Sequence, residues 1–383
     1  MISPILTGQA TYPFVRLTQA AAERRSQGLE VYDFGMGDPR EPTDPRILAA
    51  LSEGVRERMG YPAAVGLPEL REAVAAWVGR RFEVAVDPAT QVIPTLGSKE
   101  AIFTFAPVVL DLAGGRDTVV VTEPGYPVPA RGALFAGGRV ESLPLREGNG
   151  FLPDLDAVGA ATWERTAVLW LNLPNNPTGA VAPLDFFAQA AALARRYGFV
   201  LASDEAYTEL WFDEPPCSAL QLGDLGNVVA FNTLSKRSSM TGFRSGFVAG
   251  DPVLVAALKQ YRPNLGTAPQ EFVQRASVVA WSDEEHVQRA RDAYRRKREL
   301  FLELFARHGL RVAGGATTMY LWIAVPDGET SEEHATRLLA CGVVVAPGSF
   351  LGPSGEGFVR YALVPTFAEC ERAIELLDAA LAN

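Results

Sequence analysis

The sequence predicts an α/β fold with a large domain built on a mostly parallel sheet and a smaller α+β domain. From about Pro45 onward, short apolar runs alternate with Ala-rich helical stretches, a pattern typical of a buried parallel sheet with crossing helices. The chain has 383 residues, and one hydrophobic core rarely serves more than roughly 250–300 residues. We therefore expect two domains.

Six runs of β-branched and aromatic residues, each followed by a loop, are predicted as strands of the large domain. They lie at 91–95, 118–122, 167–172, 199–203, 228–232 and 245–249. Helices are predicted at 15–27, 184–197, 284–308 and 367–381, with two further strands at 319–325 and 358–363. The predicted domains are an N-terminal arm (1–45) that joins the small domain, a large domain (46–285) and the small domain (286–383).

Composition excludes several classes of function. Lys and Arg number 35 against 45 Asp and Glu, a formal charge of −10, which argues against a nucleic-acid or anionic-lipid surface. No segment approaches the roughly 20 apolar residues of a membrane helix, and residues 1–12 lack the pattern of a secretory signal. Three cysteines give neither a disulfide framework nor metal-ligand spacing, so we expect a cytoplasmic protein without a metal site.

Histidine chemistry is also disfavoured by the sequence. The three histidines, His286, His308 and His334, lie in polar, helix-like stretches, and we interpret all three as surface residues. Hydrolases of the Ser-His-Asp kind and His-rich zinc sites are therefore poor candidates. The chemistry of an enzyme would have to come from Lys, Asp, Tyr, Arg or a cofactor.

Polar residues follow five of the predicted strands, where a parallel sheet binds its ligands. The loops are Leu96-Gly97-Ser98-Lys99-Glu100, Glu123-Pro124-Gly125-Tyr126-Pro127, Pro174-Asn175-Asn176-Pro177-Thr178-Gly179, Asp204-Glu205-Ala206-Tyr207 and Thr233-Leu234-Ser235-Lys236, the last followed by Gly242-Phe243-Arg244-Ser245-Gly246. They offer an anion cradle, an aromatic ring, an amide, a carboxylate with a tyrosine, and a lysine with an arginine. This set suits pyridoxal phosphate, which needs an amine, an acidic partner for its ring nitrogen and a phosphate cup.

These motifs resemble those of the fold-type I, class I/II aminotransferases along nearly the whole chain. The Ser235-Lys236 pair with Arg244 eight residues after the lysine is the most specific mark. The resemblance implies the aspartate aminotransferase-like fold, pyridoxal 5'-phosphate as cofactor, amino acids and 2-oxo acids as substrates, and no nucleic-acid or membrane partner.

The resemblance also implies catalytic roles. Lys236 matches the Schiff-base lysine that moves the α-proton, which requires a lowered pKa. Asp204 matches the carboxylate that keeps the ring nitrogen protonated. Asn176 and Tyr207 match the pair that hydrogen-bonds the phenolic oxygen of the ring and so tunes the pKa of the imine.

Further residues are expected around the cofactor and the substrate. Tyr126 resembles the aromatic side chain that stacks on the ring. The phosphate is expected to meet a group of main-chain N–H groups, hydroxyls and one guanidinium, which come from Gly97, Ser98, Lys99, Thr233, Ser235 and Arg244. The side chain of Lys99 is expected to point to solvent.

Three residues are expected to contact the substrate, and one tyrosine is expected to belong to the neighbouring subunit. Arg360 resembles the arginine that clamps the α-carboxylate, with Asn176 beside it, and Gly37 matches a loop over the substrate that has no room for a side chain. Tyr61 resembles the tyrosine that reaches the other subunit's phosphate, so the active enzyme is expected to be a homodimer.

Finer resemblance favours one substrate. Four stretches, 235–238, 244–251, 280–287 and 346–351, resemble N-succinyl-LL-diaminopimelate aminotransferases of lysine biosynthesis, with glutamate and 2-oxoglutarate as the donor pair. Tyr320-Leu321-Trp322 also fits this resemblance. The match departs at Ser239-Met240-Thr241, which follows the general class I pattern. That substrate needs a distal cation, for which Arg16, Arg40, Arg237 and Arg262 are candidates. A broad aspartate or aromatic aminotransferase, or a cystathionine-type β-lyase on the same fold, remain alternatives.

Overall fold

The computed structural model describes residues 2–7 and 13–381 of the chain. Its helices are α1 (Pro4–Thr7), α2 (Pro13–Ser26), α3 (Pro45–Gly54), α4 (Pro68–Phe82), α5 (Gly97–Thr104), α6 (Ala106–Val109), α7 (Val128–Phe135), α8 (Ala160–Arg165), α9 (Leu184–Tyr197), α10 (Leu234–Arg237), α11 (Pro252–Tyr261), α12 (Glu271–Ser282), α13 (Glu285–Arg307), α14 (Ser331–Ala340) and α15 (Phe367–Leu381). Its strands are β1 (Tyr32–Asp33), β2 (Val92–Thr95), β3 (Thr118–Glu123), β4 (Arg139–Pro144), β5 (Thr166–Asn172), β6 (Val200–Asp204), β7 (Val228–Thr233), β8 (Gly246–Gly250), β9 (Val312–Gly314), β10 (Tyr320–Ala324), β11 (Val343–Val344), β12 (Ala346–Pro347) and β13 (Phe358–Ala362).

A seven-stranded sheet in the order β2-β8-β7-β6-β5-β3-β4 forms the centre of residues 92–250. All its neighbouring pairs are parallel except those of β8, which runs antiparallel to both β2 and β7. Because β8 is reversed, the carboxyl ends of β2, β7, β6, β5 and β3 meet at one edge, where β8 begins. The loops that carry the predicted site residues therefore converge.

Helices cover both faces of this sheet. Along β5, Val168 and Trp170 face a core shared with α5, α7 and α11, whereas Leu169 and Leu171 face a core shared with α9. A third cluster, built from α4 and α12 around Trp77 and Trp281, covers the β2–β8 end. Burial on both faces explains the continuous apolar runs of these strands.

The C-terminal part is built on a four-stranded antiparallel sheet in the order β12-β13-β10-β9, packed against α13, α14 and α15. Residues before the large sheet join this part, because β1 pairs in parallel with β11 through Tyr32↔Val343 and Asp33↔Val344. The predicted α/β architecture is confirmed. The exact domain boundaries at 45 and 285 stay a prediction.

Among residues 2–7 and 13–381, no helix has the length and apolar character needed to span a bilayer. The three cysteines, Cys217, Cys341 and Cys370, form no disulfide. Within the same described segments, no group of His, Cys, Asp or Glu side chains has the arrangement of a metal site.

Candidate active site

A cavity of about 330 Å³ opens at the sheet edge where the carboxyl strand ends meet. It is lined by twelve of the residues predicted from sequence, namely Gly37, Ser98, Lys99, Tyr126, Asn176, Asp204, Tyr207, Thr233, Ser235, Lys236, Arg244 and Arg360. Eight residues without a predicted role also line it: Met36, Asp38, Pro127, Asn172, Ala206, Thr241, Tyr320 and Leu351. Of the predicted set, Gly97 and Tyr61 are not among the lining residues.

Lys236 lies on the single turn α10, which begins where β7 ends. The hydroxyl of Thr233 accepts a hydrogen bond from the Ser235 N–H (3.1 Å) and so caps this turn. The buried Lys236 Nζ donates to the carbonyl oxygen of Gly37. Burial lowers the pKa of Lys236 to about 8; the nearby Asp38 opposes the shift, and the charges of Arg360 and Arg244 add to it. A sizeable fraction of neutral amine is therefore present near neutral pH.

Asp204 ends β6 and is buried beneath the cavity. Its carboxylate accepts one hydrogen bond, from the Ala206 N–H (3.3 Å), and within the described residues no cation offsets its burial. Burial raises the pKa of Asp204 to about 7, and the charge of Glu205 raises it further. A buried carboxylate that lacks a cation and faces a cavity fits a cationic ligand atom such as a protonated ring nitrogen.

Asn172 positions the ends of two strands around Asp204. Its Nδ2 donates to the Asp204 carbonyl oxygen (3.0 Å), and its Oδ1 accepts from the Asn176 N–H (2.8 Å). The amide of Asn172 thus links β5, β6 and the loop that carries Asn176. Sequence reasoning missed this residue because an asparagine at a strand end reads as an ordinary turn residue.

An anion cradle lies at the start of α5. Gly97 has a φ of +74°, and a Cβ there would stand 2.5 Å from Arg244 Nη2, so only glycine lets the guanidinium approach this backbone. Arg244 itself adopts a left-handed φ of 55° and donates to Leu96 O (3.2 Å) and Thr241 O (2.9 Å). The helix N-terminus and the guanidinium together suit a phosphate.

The two hydroxyls predicted at the phosphate differ in their surroundings. The Thr233 hydroxyl lies 3.0 Å from the Ser245 carbonyl oxygen and, as described, caps α10. The Ser235 hydroxyl lies beside Arg244, whose Nη1 is 3.4 Å away. The two hydroxyl oxygens are themselves 3.0 Å apart, and it is the Ser235 hydroxyl that contacts the guanidinium of Arg244.

Tyr207, Asn176 and Arg360 all line the cavity and are linked through contacts of Arg360 and Tyr320. Arg360 Nη1 donates to Asn176 Oδ1 (2.8 Å), and Nη2 donates to the Gly35 carbonyl oxygen (2.6 Å). The hydroxyl oxygens of Tyr207 and Tyr320 are 3.0 Å apart. Tyr320 lies in a predicted strand, where a buried aromatic residue cannot be told from a core residue by sequence alone.

The turn after Lys236 is held by buried polar contacts. Ser238 Oγ lies 2.8 Å from His286 Nε2, and His286 Nδ1 lies 2.5 Å from Asp283 Oδ2. From the other side, the Thr43 hydroxyl donates to the Ser239 carbonyl oxygen (2.7 Å). These contacts fix the main chain that follows the lysine.

The interpretation of the histidines as surface residues is wrong for two of them. His286 and His334 are buried, whereas His308 is partly exposed. His334 Nδ1 lies 2.8 Å from a carboxylate oxygen of Glu329, just as His286 lies against Asp283. A carboxylate three or five residues away makes burial of each imidazole tolerable, and the polar, helix-like character of these stretches does not reveal the pairing.

Three of the four arginines proposed for a distal carboxylate do not line the cavity. Arg237 is buried between Trp77 and Trp281 and pairs with Glu284 (2.7 Å). Arg262 pairs with Glu100 (2.8 Å), and Arg40 pairs with Glu369 (3.1 Å). The side chain of Arg16 lies outside the described residues. The cations at the cavity are instead Lys99, Lys236, Arg244 and Arg360.

Tyr61 lies in the loop between α3 and α4, with a relative exposure of 106%. Near the cradle a second, open cavity of about 660 Å³ is lined by Leu96, Lys99, Glu100, Phe103, Thr104, Val128, Arg131, Arg244 and Gln270. Tyr61 is thus a fully exposed aromatic side chain, and the second cavity presents mostly apolar surface around Phe103.

Comparison with known proteins agrees with this geometry. The family model "Aminotransferase class I and II" matches residues 30–377. The LL-diaminopimelate aminotransferase of Aquifex aeolicus (strain VF5) is 40% identical over 374 residues, which cover 96% of this chain and 95% of that protein. Among solved structures, substrate-bound BacF from Bacillus subtilis superposes with a TM-score of 0.93 at 29% identity, covering 99% of this chain and 98% of that one. A probable N-succinyldiaminopimelate aminotransferase from Thermus thermophilus gives a TM-score of 0.89 at 32% identity, covering 96% and 99%.

Proposed function

Because this chain belongs to the class I and II aminotransferases, which are pyridoxal-phosphate-dependent enzymes, we propose that it transfers the amino group of LL-diaminopimelate to 2-oxoglutarate. The products are glutamate and the 2-oxo acid of diaminopimelate, so atoms and charge balance without a further reactant. The observation that carries the substrate assignment is the pair of charged side chains, Lys99 and Asp38, that line the cavity beyond the groups needed for the cofactor and the α-carboxylate.

When bound, pyridoxal phosphate supplies an aldehyde for a covalent bond to an amine and a ring that accepts electrons. Asp204 would hold the ring nitrogen, and Tyr126 would lie against the ring. Arg244, the N–H groups of Ser98 and Lys99, and chiefly the hydroxyl of Ser235 would hold the phosphate, while Thr233 positions the turn.

Lys236 is proposed to bond to the cofactor and, once released, to move the α-proton of the substrate. Its lowered pKa of about 8 supports this role, because the amine both accepts and returns a proton near neutral pH. Arg360 would hold the α-carboxylate through its planar fork. Gly37 lies over the cavity, and Asn176 and Tyr207 would face the phenolic oxygen of the ring.

The far end of LL-diaminopimelate carries both an ammonium and a carboxylate. Lys99 and Asp38 are exposed side chains that line the cavity. The side chain of Lys99 has no other role there, and Asp38 otherwise acts only through its charge on Lys236. A cation and an anion together match that zwitterion. Glutamate has only the carboxylate, and alanine has neither group. The curated relative from Aquifex aeolicus is named for this substrate.

N-succinyl-LL-diaminopimelate is the second candidate, since the Thermus thermophilus structure and the four sequence stretches favour it. Succinylation replaces the distal ammonium with a neutral amide and adds a carboxylate. Lys99 would still attract that substrate, whereas Asp38 would repel it. Removal of the Asp38 charge is therefore expected to have opposite effects on kcat/KM for the two substrates.

The test is a half-reaction panel in which the cofactor's absorbance is followed after adding LL-diaminopimelate, its N-succinyl derivative, glutamate or alanine. Lys99→Met should lower kcat/KM for the first three by about two- to fivefold and leave alanine unchanged, since an exposed ion pair contributes up to about 1 kcal/mol. Asp38→Asn also removes a charge near Lys236, and alanine reports that general effect. Relative to alanine, the variant should lower kcat/KM for LL-diaminopimelate and raise it for the succinyl compound.

Arg40→Ala is the matched control, because Arg40 is a cation paired with Glu369 away from the cavity. It should not separate the four substrates. If LL-diaminopimelate reacts no faster than alanine in the wild type, the substrate proposal is wrong and a broad aminotransferase is preferred.

We further propose that the active form is a homodimer in the cytoplasm. The exposure of Tyr61 and the apolar depression around Phe103 support the dimer. The three cysteines, which form no disulfide, are compatible with a reducing compartment.

A further inference from the structure

Tyr320 contacts both Tyr207 and Arg360 in the cavity, and the roles proposed for the cofactor and substrate groups do not include it. It begins β10, is 2% exposed and lines the cavity. Its hydroxyl oxygen lies 3.0 Å from that of Tyr207, and the two rings meet edge to face with centroids 5.4 Å apart. One of the two hydroxyls donates and the other accepts, because each carries a single proton.

The direction of this hydrogen bond decides what Tyr207 can do. If Tyr207 donates to Tyr320, its proton is unavailable to a ligand in the cavity. If Tyr320 donates, the Tyr207 proton is free to point into the cavity. Burial raises the pKa of both hydroxyls, so both keep their protons at neutral pH. Donation from Tyr320 also polarises Tyr207 and makes it a stronger donor.

Tyr320 contacts the substrate clamp with its ring. The Arg360 guanidinium carbon lies 4.5 Å from the Tyr320 ring centroid, a cation–π geometry. The sheet creates this contact: Tyr320 pairs with Ala362 and Trp322 pairs with Arg360 across the antiparallel β10–β13 ladder. Tyr320 and Arg360 are therefore diagonal neighbours on one face.

The position of the Tyr320 hydroxyl is fixed from a third side. A Cβ on Gly37 would stand 2.1 Å from Tyr320 Oη, so the absence of a side chain at Gly37 is what admits the hydroxyl. The loop glycine expected to make room for substrate also makes room for Tyr320.

We propose that Tyr320 is a positioning residue whose hydroxyl donates to Tyr207, directing the Tyr207 proton to the ring oxygen of the cofactor, and whose ring holds the Arg360 guanidinium. The inference rests on the proposed roles of Tyr207 and Arg360 and assigns a separate contact to each. A hydrogen-bond donor to the ring oxygen draws electron density from that oxygen. The oxygen then attracts the proton on the adjacent lysine–cofactor nitrogen less strongly, which lowers the pKa of that nitrogen.

The first experiment is a pH titration of the absorbance of the cofactor-loaded enzyme without substrate. Tyr320→Phe should keep the cofactor, because the phosphate groups are untouched, and should raise the pKa of the spectral transition by roughly 0.4 to 1 pH unit. Tyr207→Phe should raise it at least as much, and the double variant should not exceed Tyr207→Phe, since Tyr320 acts through Tyr207.

Tyr361→Phe is the matched control. Tyr361 lies on β13, the strand that pairs with β10. Its side chain is fully buried, and its hydroxyl has no hydrogen-bond partner among the described residues. Its titration should equal that of the wild type. Gly37→Ala is a second test variant that displaces the Tyr320 hydroxyl while both tyrosines remain, and it should reproduce the rise. The hydroxyl contact is overturned if Tyr320→Phe and Gly37→Ala both titrate like Tyr361→Phe.

The ring contact is tested with a non-reactive carboxylate, propionate, whose binding is read from the same absorbance. Tyr320→Phe keeps the ring, so its Kd should stay within about twofold of the wild type. Tyr320→Leu removes the ring and should weaken propionate by about fivefold or more. Equal affinity in Tyr320→Leu overturns the ring contact.

These readouts separate this inference from the proposed reaction. An enzyme that ignores LL-diaminopimelate but shows the predicted titrations would lose only the substrate proposal. A Tyr207→Phe variant that titrates like the wild type would overturn both the Tyr207 role and the Tyr320 inference.

Discussion

Arg360 Nη1 donates a 2.8 Å hydrogen bond to Asn176 Oδ1, so the proposed carboxylate clamp and the proposed ring-oxygen amide form one unit. Arginine has only donors, which fixes the orientation of the amide: Oδ1 faces Arg360, and the Nδ2 donors are left for the cavity. A change at Arg360 should therefore be felt both by the substrate and by Asn176.

Arg360→Lys is expected to lower kcat/KM for every amino-acid substrate by roughly 10- to 100-fold, because an ammonium cannot reproduce the planar fork and its charge-assisted hydrogen bonds. Half-reactions with LL-diaminopimelate, glutamate and alanine measure this. Arg337→Lys, at a surface pair with Glu329, is the control. A loss confined to one substrate would contradict a role at the α-carboxylate.

Lys236→Ala is expected to abolish transamination, because among the described residues the one other lysine that lines the cavity, Lys99, has an exposed side chain. Borohydride reduction of the loaded wild-type enzyme followed by peptide mapping should place the pyridoxyl group on Lys236. Lys259→Ala, at a partly exposed site outside the cavity, should leave activity and mapping unchanged. A pyridoxyl group found on Lys99 would overturn the assignment.

Asp204→Ala is expected to retain part of the cofactor and to lose the chemical step by several orders of magnitude, where each tenfold loss is roughly 1.4 kcal/mol of barrier. Without the carboxylate, nothing in the described site keeps the ring nitrogen protonated. Single-turnover absorbance measures the step apart from cofactor binding. Asp224→Ala, on the surface, is the control, and turnover near that of the wild type would remove Asp204 from the mechanism.

The raised pKa of Asp204 should also make the cofactor-free protein less stable as pH rises. An unfolded Asp loses its proton near pH 3.8, whereas the folded carboxyl holds it to about pH 7, so stability falls between these values. Asp204→Asn removes this effect. Between pH 5 and pH 8, the fall in the free energy of unfolding should be roughly 2–3 kcal/mol smaller for Asp204→Asn than for the wild type.

Urea unfolding of the cofactor-free proteins at pH 5, 6, 7 and 8 measures this difference. Glu205 and Lys236, with folded pKa values of about 7 and about 8, also titrate in this range. Both are present in the two proteins, so the difference between the proteins reports Asp204. Parallel curves for wild type and Asp204→Asn would show that the Asp204 carboxyl does not carry the pH dependence.

Tyr61→Phe is expected to weaken cofactor affinity without changing the melting temperature of the cofactor-free protein. The side chain is exposed, so its hydroxyl does not stabilise its own subunit. We expect it to contact the phosphate bound by the partner subunit instead. Sedimentation at assay concentration should show a dimer for both wild type and variant. An active monomer would contradict the proposal.

The sequence predicts the regular elements well where burial on both faces or helical amphipathicity is strong. The helices Leu184–Tyr197 and Phe367–Leu381 begin and end where predicted. Strand β4 (Arg139–Pro144) was missed, because this edge strand is mostly exposed and carries a polar pattern. Its pairing with β3 is set by the sheet and not by its own composition.

Site residues were predicted where the chain concentrates them after strand ends, and missed where long-range packing assigns the role. Tyr320 looks like any strand aromatic until Tyr207 and Arg360 are placed beside it. Arg237 and Arg262 look like free cations until Glu284 and Glu100 neutralise them. These contacts link residues that are far apart in the sequence, so a local sequence pattern does not reveal them.

The contacts of residues 35–37 make the site one of the last parts of the molecule to be completed during protein synthesis. Gly35 O accepts from Arg360, 325 residues later, and Gly37 O accepts from Lys236, 199 residues later. The segment just before these glycines is itself held by β11, through Tyr32↔Val343 and Asp33↔Val344. Contacts of such long sequence separation form late and slowly. We therefore expect a growing chain to place this loop over the cavity only when its C-terminal strands have been made.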